Sequence, residues 1–223
     1  VIIRIKASRP AAAPHITIEP LCLNVPSRPF RILDFDCEAR PLAWISSDYV
    51  SKEITAIAWK FIGEESQVGC ALLGPEAYGG TNTVDMLTQF RTAYDRADMV
   101  TGHYIKGYDL PMVNGMLMEY GLPPLSDKLA QDTKIDLVPR AGISASQENI
   151  GAMLGLVNPK VKMNQTTWRS ANRLEPEGLK MTRERVVGDV LQHIEMRQRL
   201  LELGYLKSPS VWKCTSELPA YVP

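Results

Sequence analysis

Long apolar runs, paired cysteines and net charge are all missing from this 223-residue chain. No stretch reaches the ~20 apolar residues that a membrane-spanning helix needs. The opening VIIRIKASRPAAAPHI has no apolar core followed by a small-residue cleavage site, so a non-secreted, cytoplasmic protein is expected. Cys22, Cys37, Cys70 and Cys214 stand far apart and form no CxxC pair. That argues against a structural zinc site or a disulfide framework and makes a reducing compartment the default. With 45% hydrophobic and 22% charged residues, disorder and collagen-like fibres are excluded and one compact domain, or a domain with a short appendage, is expected. The zero net charge hides an asymmetry. Asp34 to Asp136 holds 16 acids against 8 bases, whereas Lys160 to Lys213 holds 11 bases against 6 acids. A basic C-terminal third suits phosphate binding, and equally suits solvated helix faces of mixed sign.

Residues 1 to 30, rich in proline and without periodicity, read as an extended lead-in. Three β-rich segments follow: RILDFDCE from Arg31, Ile54 to Gly63, and Gln67 to Gly74, which together suggest an antiparallel meander. Val84, Leu87, Phe90, Ala93, Tyr94 and Ala97 then fall at helical spacing after Asn82 and Thr83 as candidate caps. ADMVTGHY reads as a strand, DLPMVNGMLMEYG as a helix closed by Gly121, and KLAQDTKIDL as a short strand. Ser144 or Ser146 can cap a helix through Leu154 that stops at Gly155. NPKVKMNQTTWRSANRLEPEG reads as a loop, and a last helix is expected from about Thr182 to Leu203, with Thr182 and Glu184 as its capping pair. The order βββαβαβ followed by helices predicts an α/β mixed sheet flanked by helices, in a domain over 31–205 with a tail over 206–223.

Three acidic elements carry candidate chemistry. Asp36 and Glu38 stand at i and i+2 of the first strand, so both point to one face. Carboxylates that close need a counter-charge, and hard divalent cations such as Mg²⁺ or Mn²⁺ prefer their oxygens. A strand end whose acids face water is the plainer alternative. Asp34 shares that face and leaves the register ambiguous by one pair. In TGHYIKGYDLP, Asp109 opens a helix, where capping and dipole compensation would also account for an acid. Asp189, inside RERVVGDVLQHIE, lies beside an apolar stripe, where a buried acid needs a partner or a metal.

DFDCE, GHYIKGYDLP and VVGDVLQH, in this order, resemble the motifs of the DEDD-type (DnaQ-like) 3′-to-5′ exonucleases of the ribonuclease H-like superfamily. The resemblance runs from about Arg31 to Leu203. It matches Asp36 and Glu38, then Gly102, His103, Tyr108, Asp109, Leu110 and Pro111, then Asp189 and Val190. It implies a ribonuclease H-like fold in which Asp36, Glu38, Asp109 and Asp189 hold two Mg²⁺ or Mn²⁺ ions, Asp36 bridging them. The implied activity is hydrolysis of phosphodiester bonds at the 3′ end of single-stranded DNA or RNA. Lys106, Lys162 and Arg185 are then candidate phosphate contacts, joined by Arg169, and Tyr108, Tyr104 or Trp168 are candidate base-stacking residues.

Two positions depart from the family pattern. Tyr104 stands where the family usually has Asn. Family members also carry Tyr four residues, or His five residues, before the last Asp, and Arg185 and Glu184 stand there instead. Arginine cannot act as a base. His193, one turn beyond Asp189 on the same helix face, is the candidate replacement. These departures keep in view a nucleic-acid-binding or interaction module with weakened chemistry, and the shared metal chemistry keeps in view a ribonuclease H-like endonuclease.

Overall fold

The structure, a computed structural model, describes residues 28–41, 52–138, 142–157 and 161–214. Nearly all of the proposed lead-in, together with Cys22, lies outside that range. Among the described residues, Cys37, Cys70 and Cys214 are free thiols, and no helix is long and apolar enough to cross a membrane.

Three antiparallel strands start the fold: β1 (Ile32–Pro41), β2 (Lys52–Phe61) and β3 (Gly69–Leu72). Helix α1 (Thr83–Asp95) begins where Asn82 accepts a hydrogen bond from the Asp85 amide at 2.9 Å, so Asn82, not Thr83, is the cap. Strand β4 (Met99–Gly102) returns parallel to β1, helix α2 (Asp109–Glu119) crosses over, and β5 (Lys128–Asp132) lies parallel to β4. The β5 strand is shorter than KLAQDTKIDL suggested, because the Asp132 carboxylate accepts from the amides of Lys134 and Ile135 and turns the chain. Helix α3 (Gln147–Leu154) is capped by Ser146 and stopped by Gly155 at φ 64°.

The segment from 158 to 178 departs from its reading as loop. It contains helix α4 (Gln165–Asn172), capped by Asn164, whose side chain accepts from the Thr167 amide at 2.9 Å. Helix α5 (Pro176–Glu202) starts six residues before Thr182, on a proline at its first position, where the missing N–H costs nothing. Thr182 and Glu184 stand two apart, one short of a capping box, and the Thr182 hydroxyl donates back to the Gly178 carbonyl inside the helix. Strand β6 (Ser210–Trp212), within the expected tail, adds antiparallel to β5.

The result is an open mixed sheet in the order β3-β2-β1-β4-β5-β6, flanked by helices as the sequence pattern implied. Period-2 alternation divides β1 cleanly. Leu33, Phe35 and Cys37 join the core under α1 and α2, where Phe35 meets Phe90 at 4.9 Å between ring centroids. Asp34, Asp36 and Glu38 take the opposite face, toward α5. There Asp36 and Glu38 stand opposite Ala58 and Ala56 of β2, which pack with Leu72, Leu179, Val186 and Val190. Small alanines on this face let α5 come close to the sheet.

Candidate functional site

Two periodicities build the site. Four residues of α-helix rise ~6 Å and two residues of β-strand rise ~6.6 Å, so a helix lying along a strand can match every fourth residue to every second one. Helix α5 offers Arg185, Asp189 and His193, and β1 offers Glu38, Asp36 and Asp34. Arg185 forms an ion pair through Nε with Glu38. Asp189 joins Asp36 and Glu38 in a cluster whose ligand atoms all lie within 4.8 Å of one another. His193 Nδ1 meets Asp34 Oδ2 at 2.5 Å. The register that was ambiguous in the sequence is thereby resolved: Asp34 belongs to the buried interior, and Asp36 and Glu38 to the acidic cluster.

Asp109 reaches the same place from α2. Strand β4 pairs with β1 only as far as Asp34 opposite Thr101. Beyond that point β1 exposes a ladder donor, and Asp109 Oδ1 accepts from the Cys37 amide at 3.1 Å. Burial pushes the Asp109 carboxyl up to about 7, against the opposing pull of that hydrogen bond. Asp36, Glu38, Asp109 and Asp189 all line one cleft of about 290 Å³, with His103, Tyr104, Tyr108, Lys134, Gln147 and Arg185 around them.

The donor set fits a hard divalent cation. Metal–oxygen bonds of ~2.1 Å place opposed ligands of one Mg²⁺ ~4.2 Å apart, and ligand atoms of Asp36, Glu38 and Asp189 lie within 4.8 Å of one another. These three carboxylates can therefore hold a divalent ion, and Asp109 borders the same space.

The other expected site residues divide. Tyr108 lines the cleft, with Lys52 Nζ 4.5 Å from its ring centroid. Lys162 is exposed on the segment leading to α4 and does not line it. Lys106 is not available as a phosphate contact there: its Nζ is bound to Asp136 Oδ2 at 2.8 Å and Ser210 Oγ at 2.9 Å, behind β5. Arg185 does face the cleft, but its guanidinium is engaged by Glu38 and lies 3.8 Å from Asp189. His193 does not reach the cleft. It is 2% exposed, and its ring nitrogens are taken by Asp34 and by Thr133 Oγ1, the latter at 2.9 Å. One turn beyond Asp189, its side chain is directed to Asp34 and Thr133 instead of into the opening.

Asp132, Thr133, Lys134 and Gln147 were missed in the sequence. Asp132, fully buried, accepts from four backbone amides, those of Tyr104, Lys106, Lys134 and Ile135, and so ties the β4–α2 loop to β5. That anchorage holds Tyr104 at φ 71°. Tyrosine rarely adopts that left-handed region, and the bond from the Tyr104 amide to Asp132 Oδ1 at 2.9 Å helps hold it there. Thr133 Oγ1 also meets His103 Nδ1 at 3.0 Å, so hydrogen bonds run from the cleft through His103, Thr133 and His193 to Asp34. Burial raises the Asp34 carboxyl, with His193 and then Arg197 opposing the shift. Gln147 donates to the Asp189 carbonyl at 2.8 Å and fixes α3 against the functional turn of α5. An acid and a threonine after a short strand are ordinary turn residues, and nothing in their spacing distinguished them.

No protein-family model and no curated protein matches the chain. Among solved structures, the family B DNA polymerase from the hyperthermophilic archaeon Pyrobaculum calidifontis superposes with a TM-score of 0.58 at 14% identity, over 78% of this chain. The fold is ribonuclease H-like. At that identity the likeness speaks for architecture alone, and the match spans only 25% of the polymerase chain.

Proposed function

We infer that this chain is a metal-dependent 3′-to-5′ exonuclease acting on single-stranded DNA or RNA. The observation that carries this reading is the convergence of Asp36, Glu38, Asp109 and Asp189, from three separate elements, on one cleft. The motif order in the sequence supports nucleic acid as the substrate.

In this reading the four acids hold Mg²⁺ or Mn²⁺, with two ions as the resemblance implies. A divalent ion supplies a nucleophilic water near neutral pH and offsets charge on the phosphate. The chain's own residues do the rest. Lys134, whose Nζ lies 4.0 Å from the Tyr104 ring centroid, adds a positive charge at the cleft. Tyr104 and Tyr108 are 38% and 36% exposed and offer ring faces to an unstacked base. Lys134 and Lys52 hold ammonium groups over one face of those rings and are candidate phosphate contacts.

One observation favours a second reading, a binding module with weakened chemistry: Arg185 occupies the position of the expected general base and pairs with two of the acids. A single assay separates the two. Single-stranded DNA and RNA labelled at the 5′ end are incubated with Mg²⁺ or Mn²⁺ beside an Asp36→Ala control. The exonuclease reading expects a ladder shortening from the 3′ end that the control abolishes. Intact substrate, or equal degradation by Asp36→Ala, refutes it, and cleavage of a circular single strand would assign an endonuclease.

A further inference from the structure

We propose that a cavity between β2 and α1 is a second ligand site, which takes a nucleoside 5′-monophosphate. It encloses about 470 Å³ and is lined by the rings of Trp59 and Phe61, by Arg31, Lys60 and Arg96, and by Glu64. That volume is in the range of small-molecule sites. The cavity is separate from the acidic cleft. Trp59 and Phe61 stand opposite Phe35 and Leu33 of β1, on the sheet face that packs under α1, whereas Asp36 and Glu38 take the other face. Arg31 also precedes Asp36 by five residues, ~16 Å of extended chain.

Its walls are fixed and its donors are open. Trp59 packs edge-on against Phe90, ring centroids 6.1 Å apart, and Gly69 leaves room for the indole, since a Cβ there would sit 2.5 Å from Nε1. Lys60 Nζ donates to the Glu64 carbonyl at 3.1 Å and to the Ser66 carbonyl, which closes the turn between β2 and β3. Two guanidiniums approach one ring: Cζ of Arg31 lies 3.8 Å and Cζ of Arg96 5.8 Å from the Phe61 centroid. Arg31 is paired with Glu64 through Nε and one terminal nitrogen, both at 2.9 Å. Among the described residues the Arg96 guanidinium has no hydrogen-bond or ion-pair partner, and neither has the Trp59 indole N–H. Nearby acids do not make up the charge. Asp98 is held by Arg28 at 2.8 Å, Asp95 lies 3.6 Å from Arg91, and Glu65 does not line the cavity. The lining therefore carries three bases against one acid. A bare anion would need only the cations, but these border two aromatic rings and the side-chain amides of Gln67 and Gln89. A guanidinium fork fits a phosphate, aromatic rings contact the face of a base, and amides offer donor and acceptor together to its edge. A nucleoside phosphate combines all three.

The test uses the full chain in excess chelator, so that no metal ion draws phosphate to the acidic cleft. Adenosine 5′-monophosphate is titrated in a calorimeter, and the indole N–H resonance of Trp59, assigned from its loss in Trp59→Phe, is followed by NMR. One nucleotide is expected to bind per chain and to shift the Trp59 resonance, with adenosine and inorganic phosphate each binding ~10-fold or more weakly. Arg96→Gln, at an exposed position, is expected to weaken the nucleotide by ~10-fold or more, the effect of losing one charge-assisted hydrogen bond, and to leave adenosine unchanged. No nucleotide binding overturns the proposal, and so does binding that neither moves the Trp59 resonance nor responds to Arg96→Gln. Inorganic phosphate bound as tightly as the nucleotide also overturns it, marking a plain anion site. Because the cleft is metal-free throughout, a failure here leaves the exonuclease reading intact.

Discussion

Asp109→Asn should make the metal-free protein more stable at pH 8 and leave it nearly unchanged at pH 4. Asp109 is 3% exposed, and burial raises its carboxyl from 3.8 to about 7. A group whose pKa is higher in the folded state than in the unfolded chain adds stability below the unfolded value, and that stability is lost as the pH rises through the folded one. At ~1.36 kcal/mol per unit, the loss reaches about 4 kcal/mol between pH 4 and pH 8. Most of it, about 3 kcal/mol, falls between pH 5 and pH 8. Asparagine keeps an oxygen for the Cys37 amide and carries no charge at any pH, so the difference between the two proteins isolates the carboxyl. For a chain of this size each kcal/mol moves Tm by ~2 to 4 °C. Wild-type Tm should therefore fall by about 6 to 12 °C more than that of Asp109→Asn when pH is raised from 5 to 8 with a chelator present. Parallel melting temperatures across that range would refute the assignment of a buried, uncompensated carboxyl at this position.

Three further outcomes are open to simple measurement. His193→Ala should destabilise the fold by ~3 to 5 kcal/mol in urea titrations, because it strips the buried Asp34 carboxyl and Thr133 of their partner; a loss of hydrolysis at unchanged stability would restore a catalytic role to His193. Gly178→Ala should cost ~1 to 3 kcal/mol or more, since a Cβ there would sit 2.1 Å from the Ala171 nitrogen and force α4 off α5; an unchanged midpoint would contradict that packing. The logarithm of the affinity for a single-stranded oligonucleotide should fall linearly with the logarithm of salt concentration, with a slope of ~0.7 per phosphate contacted, through bases such as the exposed Lys162 and Arg169; a salt-independent affinity would argue against a phosphate-binding surface.

The sequence by itself determined the parts of this protein that depend on local periodicity. Alternation put Asp34, Asp36 and Glu38 on one face of β1. Apolar spacing marked α1, and the placement of Asp109 at a helix start and Asp189 within a helix needed only the neighbouring residues. Helix α4 escaped notice because eight residues with two threonines have little helical preference of their own, and its Asn164 cap and packing on α5 supply what propensity lacks. Tertiary structure alone decided which acid meets which partner. The ~6 Å helix step and the ~6.6 Å strand step run in opposite chain directions, so Arg185 falls on Glu38, Asp189 on the acidic cluster and His193 on the buried Asp34. A shift of α5 by one turn would exchange those roles without altering a letter of any motif. Lys106 illustrates the same limit: its charge was legible in the sequence, but only the folding of β5 and β6 around it assigned that charge to Asp136 and Ser210.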